Sequence, residues 1–340
     1  MQFYVISALL LRAYSSRAEL DGRISWKSIG LERHKIIRVA VNPYKPGQIC
    51  ALGEGYGDVF LTNDSGLNWK RLRAAVFAGS AASDITFENE TIAYVTLVKD
   101  ERFRGIARTK DSGLTWELLG GPVQGLPIID LPGRATAIAA VNDAAHTIYL
   151  AAGGYVYSST NSGDLWGRMT QDENGEGASR DKRKLATVAL AGRHGWGGVV
   201  FGGMSGVWFV HPEGYLRELK CPAEFVKKVA VDAADNVLAI AKIDNVASLY
   251  RFANDKWDKV SPGGVPSDVA ADVKDTNIIA AVVQRQTGSE LKLSTNKGTT
   301  WTSESPGINK FQFQCIQFDP KQTRKLIIGS NKGVWVGEIK

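Results

Sequence analysis

The octapeptide TNDSGLNW at residues 62–69 returns three more times along the chain, as TKDSGLTW at 109–116, STNSGDLW at 159–166 and STNKGTTW at 294–301. All four copies place a Ser or Thr, an Asp or Asn, a Gly and a Trp at the same spacing. The Asp or Asn side chain can accept hydrogen bonds from nearby backbone N–H groups, and Gly supplies a positive φ angle. The pattern is therefore typical of a tight hairpin whose returning strand carries the Trp into a core.

A longer repeat surrounds each hairpin. An alternating strand that ends near Asn-Pro or Asp-Pro is followed by a β-rich run that ends at small residues, as in IRVAVNP at 37–43 and ICALG at 49–53. Degenerate copies fill the intervals that lack a clear octapeptide. One aromatic residue marks each repeat, and the marks are Trp26, Trp69, Trp116, Trp166, Tyr215, Trp257 and Trp301. Seven marks with four strands each predict an all-β fold, a single β-propeller of seven four-stranded blades.

The two ends of the chain together supply one blade. Three strands follow the last octapeptide, at 311–318, 325–330 and 333–339, and the lone strand RISWKSI lies near the beginning, at 23–29. We expect this N-terminal strand to join the C-terminal blade and close the ring, because closure removes the exposed edge of an open sheet. The sequence thus predicts one propeller domain at residues 23–340.

Residues 1–22 have a different character from the repeats. Their apolar run, residues 3–11, is too short to span a bilayer and has the length of a signal-peptide core. The stretch after the run carries Arg12 and Arg17 before the first acidic residue, Glu19, as in organelle transit peptides. We expect a targeting or leader segment, or a disordered one, at 1–22, and an extracytoplasmic, secreted or organelle-targeted protein. No integral membrane segment is predicted.

Charge and cysteine content exclude several classes of protein. Lys and Arg number 41 against 35 Asp and Glu, and the net charge of +6 favours acidic partners without indicating nucleic acid. The basic cluster RDKRK at 180–184 lacks aromatic neighbours that could stack on bases. Cys50, Cys221 and Cys315 have no metal-binding spacing, and an odd number cannot form a closed disulfide set. We expect no metal, no cofactor, no nucleic-acid partner and a monomer.

The four octapeptides resemble the Asp-box, also called the bacterial neuraminidase (BNR) repeat. The resemblance implies a propeller of the group that includes sialidase-like proteins, xyloglucanase-like proteins and photosystem II assembly factors. In that group the hairpin lies on the face away from the ligand, which implies a structural role for Asp64, Asp111, Asn161 and Asn296.

The family resemblance leaves the activity open. Sialidases of the group need an Arg-Ile-Pro motif, and the nearest approach here, RIS at 23–25, lacks the proline. Xyloglucan-degrading relatives place their carboxylates across two propellers, whereas this sequence predicts a single propeller. The assembly factors are single seven-bladed scaffolds.

Candidate binding residues lie in loops at the end of the propeller away from the hairpins. One loop is GEGYGD at 53–58, a second is DERFR at 100–104, and the longest is 169–184, the clearest departure from the repeat. Insertions in repeat proteins concentrate on the binding face. The binding residues that we expect from these loops are Glu54, Tyr56, Arg102, Arg104, Arg180 and Arg183.

Two functions are compatible with this pattern. The first is a non-catalytic binding or assembly-scaffold propeller that engages a glycan or protein partner of acidic character through these loops. The alternative is a glycoside hydrolase, sialidase-like or xyloglucanase-like, that uses two carboxylates of the same loops, which would then lie within about 5–10 Å of each other. The sequence assigns no catalytic residue.

Overall fold

The computed structural model describes residues 24–99, 102–119, 135–152, 155–169, 185–190, 198–203, 206–211, 215–223, 225–304 and 311–340. This part of the chain is all-β, with no α-helix and a single 3-10 turn at Ala75–Phe77. Its strands form seven separate sheets of four strands each. The predicted fold class is confirmed.

The strands follow one another blade by blade. The first strand is β1 (Ile24–Gly30), and blade 1 contains β2 (Ile36–Val41), β3 (Ile49–Gly53), β4 (Val59–Thr62) and β5 (Lys70–Arg71). Blade 2 contains β6 (Ala81–Phe87), β7 (Ala93–Lys99), β8 (Arg102–Thr109) and β9 (Glu117–Leu119). Blade 3 contains β10 (Ala135–Ala140), β11 (Ile148–Ala152), β12 (Tyr155–Ser159) and β13 (Gly167–Arg168). Blade 4 contains β14 (Leu185–Leu190), β15 (Val199–Gly203), β16 (Gly206–Val210) and β17 (Leu216–Glu218).

The remaining blades have the same plan. Blade 5 contains β18 (Phe225–Val231), β19 (Val237–Ile243), β20 (Val246–Ala253) and β21 (Lys256–Lys259). Blade 6 contains β22 (Val265–Ala271), β23 (Ile279–Arg285), β24 (Gly288–Ser294) and β25 (Thr302–Ser303). Blade 7 contains β26 (Phe313–Phe318), β27 (Lys325–Ser330), β28 (Gly333–Ile339) and β1.

The blades form a closed ring around a central channel. Within blades 1 to 6 the strands pair in chain order, and each blade is an antiparallel meander. The first strands contact one another in sequence, from β2 to β6, β10, β14, β18, β22, β26 and back to β2. These seven innermost strands therefore surround the channel.

The N-terminal strand closes the ring as predicted. Strand β1 pairs antiparallel with β28, and the register sets Ile24 opposite Ile339 and Trp26 opposite Gly337. Ile24 is buried, and the Trp26 indole donates to the carbonyl of Glu304 in blade 6 at 3.3 Å. The first strand thus holds blade 7 together and ties it to blade 6.

The core lies between the faces of successive blades. The second strand of each blade is buried along most of its length, and ICALG at 49–53 and IYLAA at 148–152 are buried at every position. Because both faces of such a strand pack against a neighbouring blade, it needs apolar side chains at every position instead of alternate ones. This requirement explains the continuous apolar runs that precede the hairpins.

The octapeptide hairpins share one hydrogen-bond network. In the first copy, Asp64 Oδ1 accepts from the Thr62 hydroxyl at 2.6 Å and from the backbone N–H of Asn68 at 2.9 Å. The Gly66 N–H donates to the Thr62 hydroxyl at 3.0 Å. Both Ser65 and Gly66 have positive φ, at 59° and 91°. The same network recurs around Asp111, Asn161 and Asn296.

The hairpin tryptophans make two kinds of hydrogen bond. The indoles of Trp166 and Trp301 each donate at 2.9 Å to the glycine carbonyl of their own hairpin, and Trp116 does so at 3.3 Å. Trp69 and Trp257 instead donate at 2.6 Å to a backbone carbonyl of the preceding blade. The repeated Trp therefore fastens either its own turn or the joint between two blades.

A β-bulge lies near the start of every innermost strand. In each blade the register with the second strand shifts by one residue at this point. A bulge bends the strand and redirects the side chains beside it. The residues that directly follow the bulges, called the bulge layer below, are Arg38, Asp84, Ala137, Thr187, Lys228, Asp268 and Cys315.

Candidate binding face

The propeller has two unlike ends. The hairpin face carries the octapeptide hairpins, and the loop face carries the connections between second and third strands and between blades. In blade 1 the connection 54–58 and the hairpin 63–69 lie at opposite ends of β4 (Val59–Thr62). Glu54 and Tyr56 consequently belong to the loop face, on the side away from the hairpins.

The connection 54–58 is held by backbone hydrogen bonds to two other loops. The Glu54 N–H donates to the carbonyl of Lys35 at 3.0 Å, and the Gly57 N–H donates to the carbonyl of Ser80 at 2.8 Å. Within the loop, the Asp58 N–H donates to the carbonyl of Gly55 at 3.2 Å. Gly57 has a φ of +66°, a conformation that costs a residue with a Cβ about 1–2 kcal/mol.

Arg71 fastens the same loop from β5. Its Nη2 lies 2.7 Å from Asp58 Oδ1 and also donates to the carbonyl of Tyr56, and its Nε donates to the carbonyl of Gly57. The other oxygen of Asp58 lies 3.7 Å from Nδ1 of His34, whose ring packs on Phe60. Asp58 is thereby fixed between two basic side chains.

The exposed side chains of this loop differ in how they are held. Glu54 pairs with Lys35, with 2.7 Å between Oε1 and Nζ. Tyr56 is 60% exposed although the backbone on both sides of it is fixed. A large aromatic ring presented by a rigid loop loses little conformational freedom on binding, which makes it an effective anchor for a partner.

Most of the second predicted loop, at 100–104, belongs to a strand in the structure. Strand β8 begins at Arg102, and both Arg102 and Arg104 lie within it, with Arg102 opposite Lys99 of β7. The expectation of a loop over 100–104 was therefore wrong for residues 102–104, because the alternating segment RFRGIART continues the ladder almost to the turn. Both arginines start β8 at its loop-face end.

The third predicted loop is outside the described residues. Arg180 and Arg183 belong to the segment 170–184, which is not among the described residues. Residues 1–22, the proposed targeting segment, also lie outside the described part. The binding roles of Glu54, Tyr56, Arg102, Arg104, Arg180 and Arg183 therefore remain predictions.

A second polar cluster lies where sequence reasoning placed none, in the central channel. Asp84 Oδ1 lies 2.9 Å from Nε of Arg38 in blade 1, and Asp84 Oδ2 accepts from the N–H of Ile138 in blade 3 at 3.0 Å. Both Arg38 and Asp84 belong to the bulge layer. The neighbouring carboxylate of Asp84 raises the pKa of the Arg38 guanidinium further.

Blades 5 to 7 repeat the arrangement. Asp268 Oδ1 lies 3.1 Å from Nζ of Lys228 in blade 5, and Asp268 Oδ2 accepts from the N–H of Ile316 in blade 7 at 2.9 Å. Cys315, also in the bulge layer, is buried between these groups. Burial and the Asp268 carboxylate raise the pKa of its thiol to about 12. Two acidic residues thus each join three successive blades.

A recurring Ser-Asp pair in the sequence indicates this channel cluster. Ser83-Asp84-Ile85 and Ser267-Asp268-Val269 stand at the same position of two first strands, where an apolar run is expected. A charged residue inside a core strand is expensive unless it is paired, so its recurrence indicates a built polar site. Four of its members, Arg38, Asp84, Lys228 and Cys315, line a cavity of about 280 Å³ in the channel.

The described part of the chain shows neither a candidate metal site nor a helix that could cross a membrane. Within it, no group of three or more His, Cys, Asp or Glu side chains is placed to hold a metal ion. No helix in the same residues has the length and apolar character needed to cross a membrane. All three cysteines have free thiols.

Solved structures match the whole propeller. A GH74 enzyme from Niastella koreensis aligns with a TM-score of 0.68 and 14% identity over 92% of this chain and 53% of the enzyme. This chain therefore spans about half the length of that enzyme. YCF48 from Cyanidioschyzon merolae aligns with a TM-score of 0.65 and 16% identity over 92% of this chain and 98% of that one.

Two further solved structures match a similar share of the chain. YCF48 bound to a D1 peptide gives a TM-score of 0.65 at 16% identity, over 94% of this chain and 96% of that chain. A streptogramin B lyase gives 0.69 at 10% identity, over 93% and 98%. No protein-family model and no curated protein matches the chain.

These similarities establish the fold of the chain and do not establish an activity. The chain is a seven-bladed β-propeller, by its own topology and by its likeness to solved propellers. At such low identity the likeness establishes the fold alone. The neighbours include enzymes and a protein bound to a peptide, so the fold does not by itself choose between chemistry and binding.

Proposed function

We propose that this propeller is a non-catalytic binding scaffold that engages a protein segment of acidic character through its loop face. One observation carries the proposal: Tyr56 is 60% exposed on a loop that Arg71, Lys35 and Ser80 hold rigid. Exposed, preorganised aromatic residues are typical centres of binding energy at interfaces. A protein partner also agrees with the peptide bound by the structural neighbour YCF48.

The acidic character of the partner is inferred from charge. The chain carries a net charge of +6, and Arg102 and Arg104 begin β8 at the loop face. We assign Arg180 and Arg183 to the same contact because they belong to the longest insertion of the repeat. Opposite charges attract over a range that salt shortens, so the proposed contact should weaken as ionic strength rises.

The hydrolase alternative is less favoured by the pairing of the carboxylates on this face. Glu54 is held by Lys35, and Asp58 lies between Arg71 and His34. A glycosidase needs two carboxyl groups that face a shared substrate, whereas each of these two is held by a basic side chain of the scaffold. A glycan partner bound without hydrolysis would use the same tyrosine for stacking.

The hairpin network supports membership of the Asp-box group as part of this proposal. Four hairpins with the same bonds lie on the face opposite Tyr56, as the resemblance implies for a structural motif. We include in the proposal the assignment of residues 1–22 as a targeting segment, with an extracytoplasmic or organellar location.

The test is to isolate a partner with the wild-type protein and to measure its affinity for variants. Tyr56→Ala should weaken binding at least about tenfold, as loss of an anchor residue does, while the unfolding temperature stays unchanged. Tyr56→Phe should bind nearly as the wild type does. Replacing Arg102, Arg104, Arg180 and Arg183 by Ser together should reduce both the affinity and its dependence on salt.

The matched control is Leu114→Ser on the hairpin face, where the leucine is 76% exposed. It should leave the affinity unchanged. If Tyr56→Ala and the fourfold arginine variant both bind like the wild type, the loop face is not the binding face and the proposal is wrong.

A further inference from the structure

We propose that the central channel binds a small oxyanion, a carboxylate or a phosphate, between Arg38 of blade 1 and Lys228 of blade 5. Both side chains line the same cavity of about 280 Å³ and belong to the bulge layer. This site is separate from the partner contact proposed for Tyr56, and neither depends on the other.

Arg38 and Lys228 each keep part of a cationic side chain accessible in the channel. Arg38 pairs through Nε with Asp84, and its side chain keeps 24% of its surface exposed in the channel. Lys228 pairs with the Asp268 carboxylate, and its side chain keeps 19% of its surface exposed in the channel. Guanidinium and ammonium groups only donate hydrogen bonds. An occupant that satisfies both must therefore supply acceptor oxygens.

The carboxylates of the layer hold the cations in place and are themselves engaged. Asp84 binds Arg38 with one oxygen and the Ile138 N–H with the other. Asp268 binds Lys228 with one oxygen and the Ile316 N–H with the other. Because each acid is anchored to the backbone of the next blade, each cation is oriented before a ligand arrives, and preorganisation of this kind reduces the cost of binding.

The surroundings of the two cations favour an anion of limited size. Apolar side chains, including Val39, Val229 and Val269, also line this cavity. Charge-assisted hydrogen bonds are roughly twice as strong as neutral ones, so two cations that line one cavity favour an anionic ligand. The cavity volume suits a small carboxylate or phosphate compound and leaves no room for a folded partner.

The test is calorimetric titration of the folded protein with inorganic phosphate and, separately, with succinate. We expect one binding site per chain, and Arg38→Gln and Lys228→Gln should each weaken binding at least about tenfold, as loss of a charge-assisted bond does. Arg285→Gln and Lys256→Gln are the matched controls, since both cations pair with carboxylates away from the channel. Both controls should bind like the wild type.

Folding is kept separate from binding by a double variant. Arg38→Gln/Asp84→Asn removes the pair together and leaves no unpaired charge, and its melting temperature shows whether the ring is intact. This folded double variant should still fail to bind phosphate and succinate. Arg38→Lys keeps the charge but loses the guanidinium fork, and it should bind more weakly than the wild type.

An acidic side chain of a bound protein could supply the same oxyanion, and a short glutamate-containing peptide distinguishes this source. Binding of the peptide but of neither small anion identifies a partner side chain, whereas binding of phosphate or succinate identifies a free anion. In both cases Arg38→Gln and Lys228→Gln must each weaken the binding at least about tenfold. If the wild type binds none of the three probes, or if both variants bind as the wild type does, the proposal is overturned.

Discussion

Asp84 accepts a hydrogen bond from the backbone N–H of Ile138, with 3.0 Å between Oδ2 and the amide nitrogen, and so joins blade 2 to blade 3. An innermost strand has a free edge that faces the channel, and its N–H groups need acceptors there. A side chain of the preceding blade supplies one. In the same way, the Thr86 hydroxyl accepts from the N–H of Ala140, and the Gln317 side-chain carbonyl accepts from the N–H of Val41.

The first prediction concerns this joint between blades. Asp84→Ala should lower the free energy of unfolding by about 3 kcal/mol, because Arg38 is left unpaired in the channel and the Ile138 N–H loses its acceptor. Arg38→Met/Asp84→Ala should cost less than the two single changes added together. Urea unfolding measures these differences. Asp258→Ala, which breaks an exposed pair with Lys256, is the control and should change stability little.

The second prediction concerns closure of the ring. Deleting residues 1–30 removes β1, with the buried Ile24 and the Trp26 bond to Glu304, and exposes the edge of β28. The unfolding temperature should fall by about 10 °C or more, given the energy of burying such side chains. Deleting residues 1–20 should leave the unfolding temperature nearly unchanged. Equal melting of the two truncated proteins would contradict closure by β1.

The third prediction is a dependence of stability on acid. Hydrogen bonds from Thr62 and then Asn68 lower the pKa of Asp64 to about 2. Burial opposes ionisation of Asp111, but bonds from Thr115 and Thr109 lower its pKa to about 2 as well. Both values lie below the unfolded value of about 3.9. The ionised forms therefore stabilise the fold above about pH 4, and this contribution is lost as the pH falls toward 2.

Two double variants test this dependence from opposite directions. Asp64→Asn/Asp111→Asn should flatten the curve of stability against pH between about pH 4 and 2, since the uncharged amide does not titrate. Asn161→Asp/Asn296→Asp adds two carboxylates to the same network and should steepen the curve. Thermal melts at a series of pH values measure both. Identical curves for the two double variants would show that the hairpin carboxylates do not carry the effect.

The fourth prediction separates the turn acceptor from the packed ring. Asp111→Ala should cost about 1 kcal/mol, the value of a net hydrogen bond. Trp166 is 3% exposed, and Trp166→Ala should cost roughly 3–5 kcal/mol. Trp116 is only partly buried, against Phe77, and Trp116→Ala should cost about 2 kcal/mol. Folded protein of all three variants should bind the loop-face partner like the wild type, and a loss of affinity would argue against a purely structural hairpin.

The fifth prediction compares two glycines that share a backbone conformation. Gly57 and Gly79 have φ angles of +66° and +65°. Substitution by Ala should cost about 1 kcal/mol at either position, because both conformations disfavour a Cβ. Only Gly57→Ala should also weaken partner binding, since Gly57 adjoins Tyr56 and its N–H positions the loop on Ser80. Equal affinity of the two variants would show that the orientation of this loop does not govern binding.

The sequence was most informative where its signals are local. The turn chemistry of the octapeptides predicted the hairpins, and their spacing predicted seven blades. The placement of RISWKSI at 23–29 in the last blade followed from counting strands, and β1 pairs with β28 as expected. The sequence wrongly predicted Arg102 and Arg104 in a loop. The connection between β7 and β8 is so short that its composition does not mark where β8 begins.

Sequence by itself determined the architecture of this protein, because the same spacing and the same turn residues recur in successive repeats. Only the tertiary structure decided which side chains meet at a site. Arg38, Asp84, Lys228, Asp268 and Cys315 are spread over more than 270 residues, and they converge because seven bulges occur at one level of a closed ring. Tyr56 is exposed on a fixed loop because Arg71 of β5 donates to its carbonyl and the Ser80 carbonyl accepts from the N–H of Gly57. Contacts of this kind depend on the curvature of the ring, which no local pattern of residues encodes.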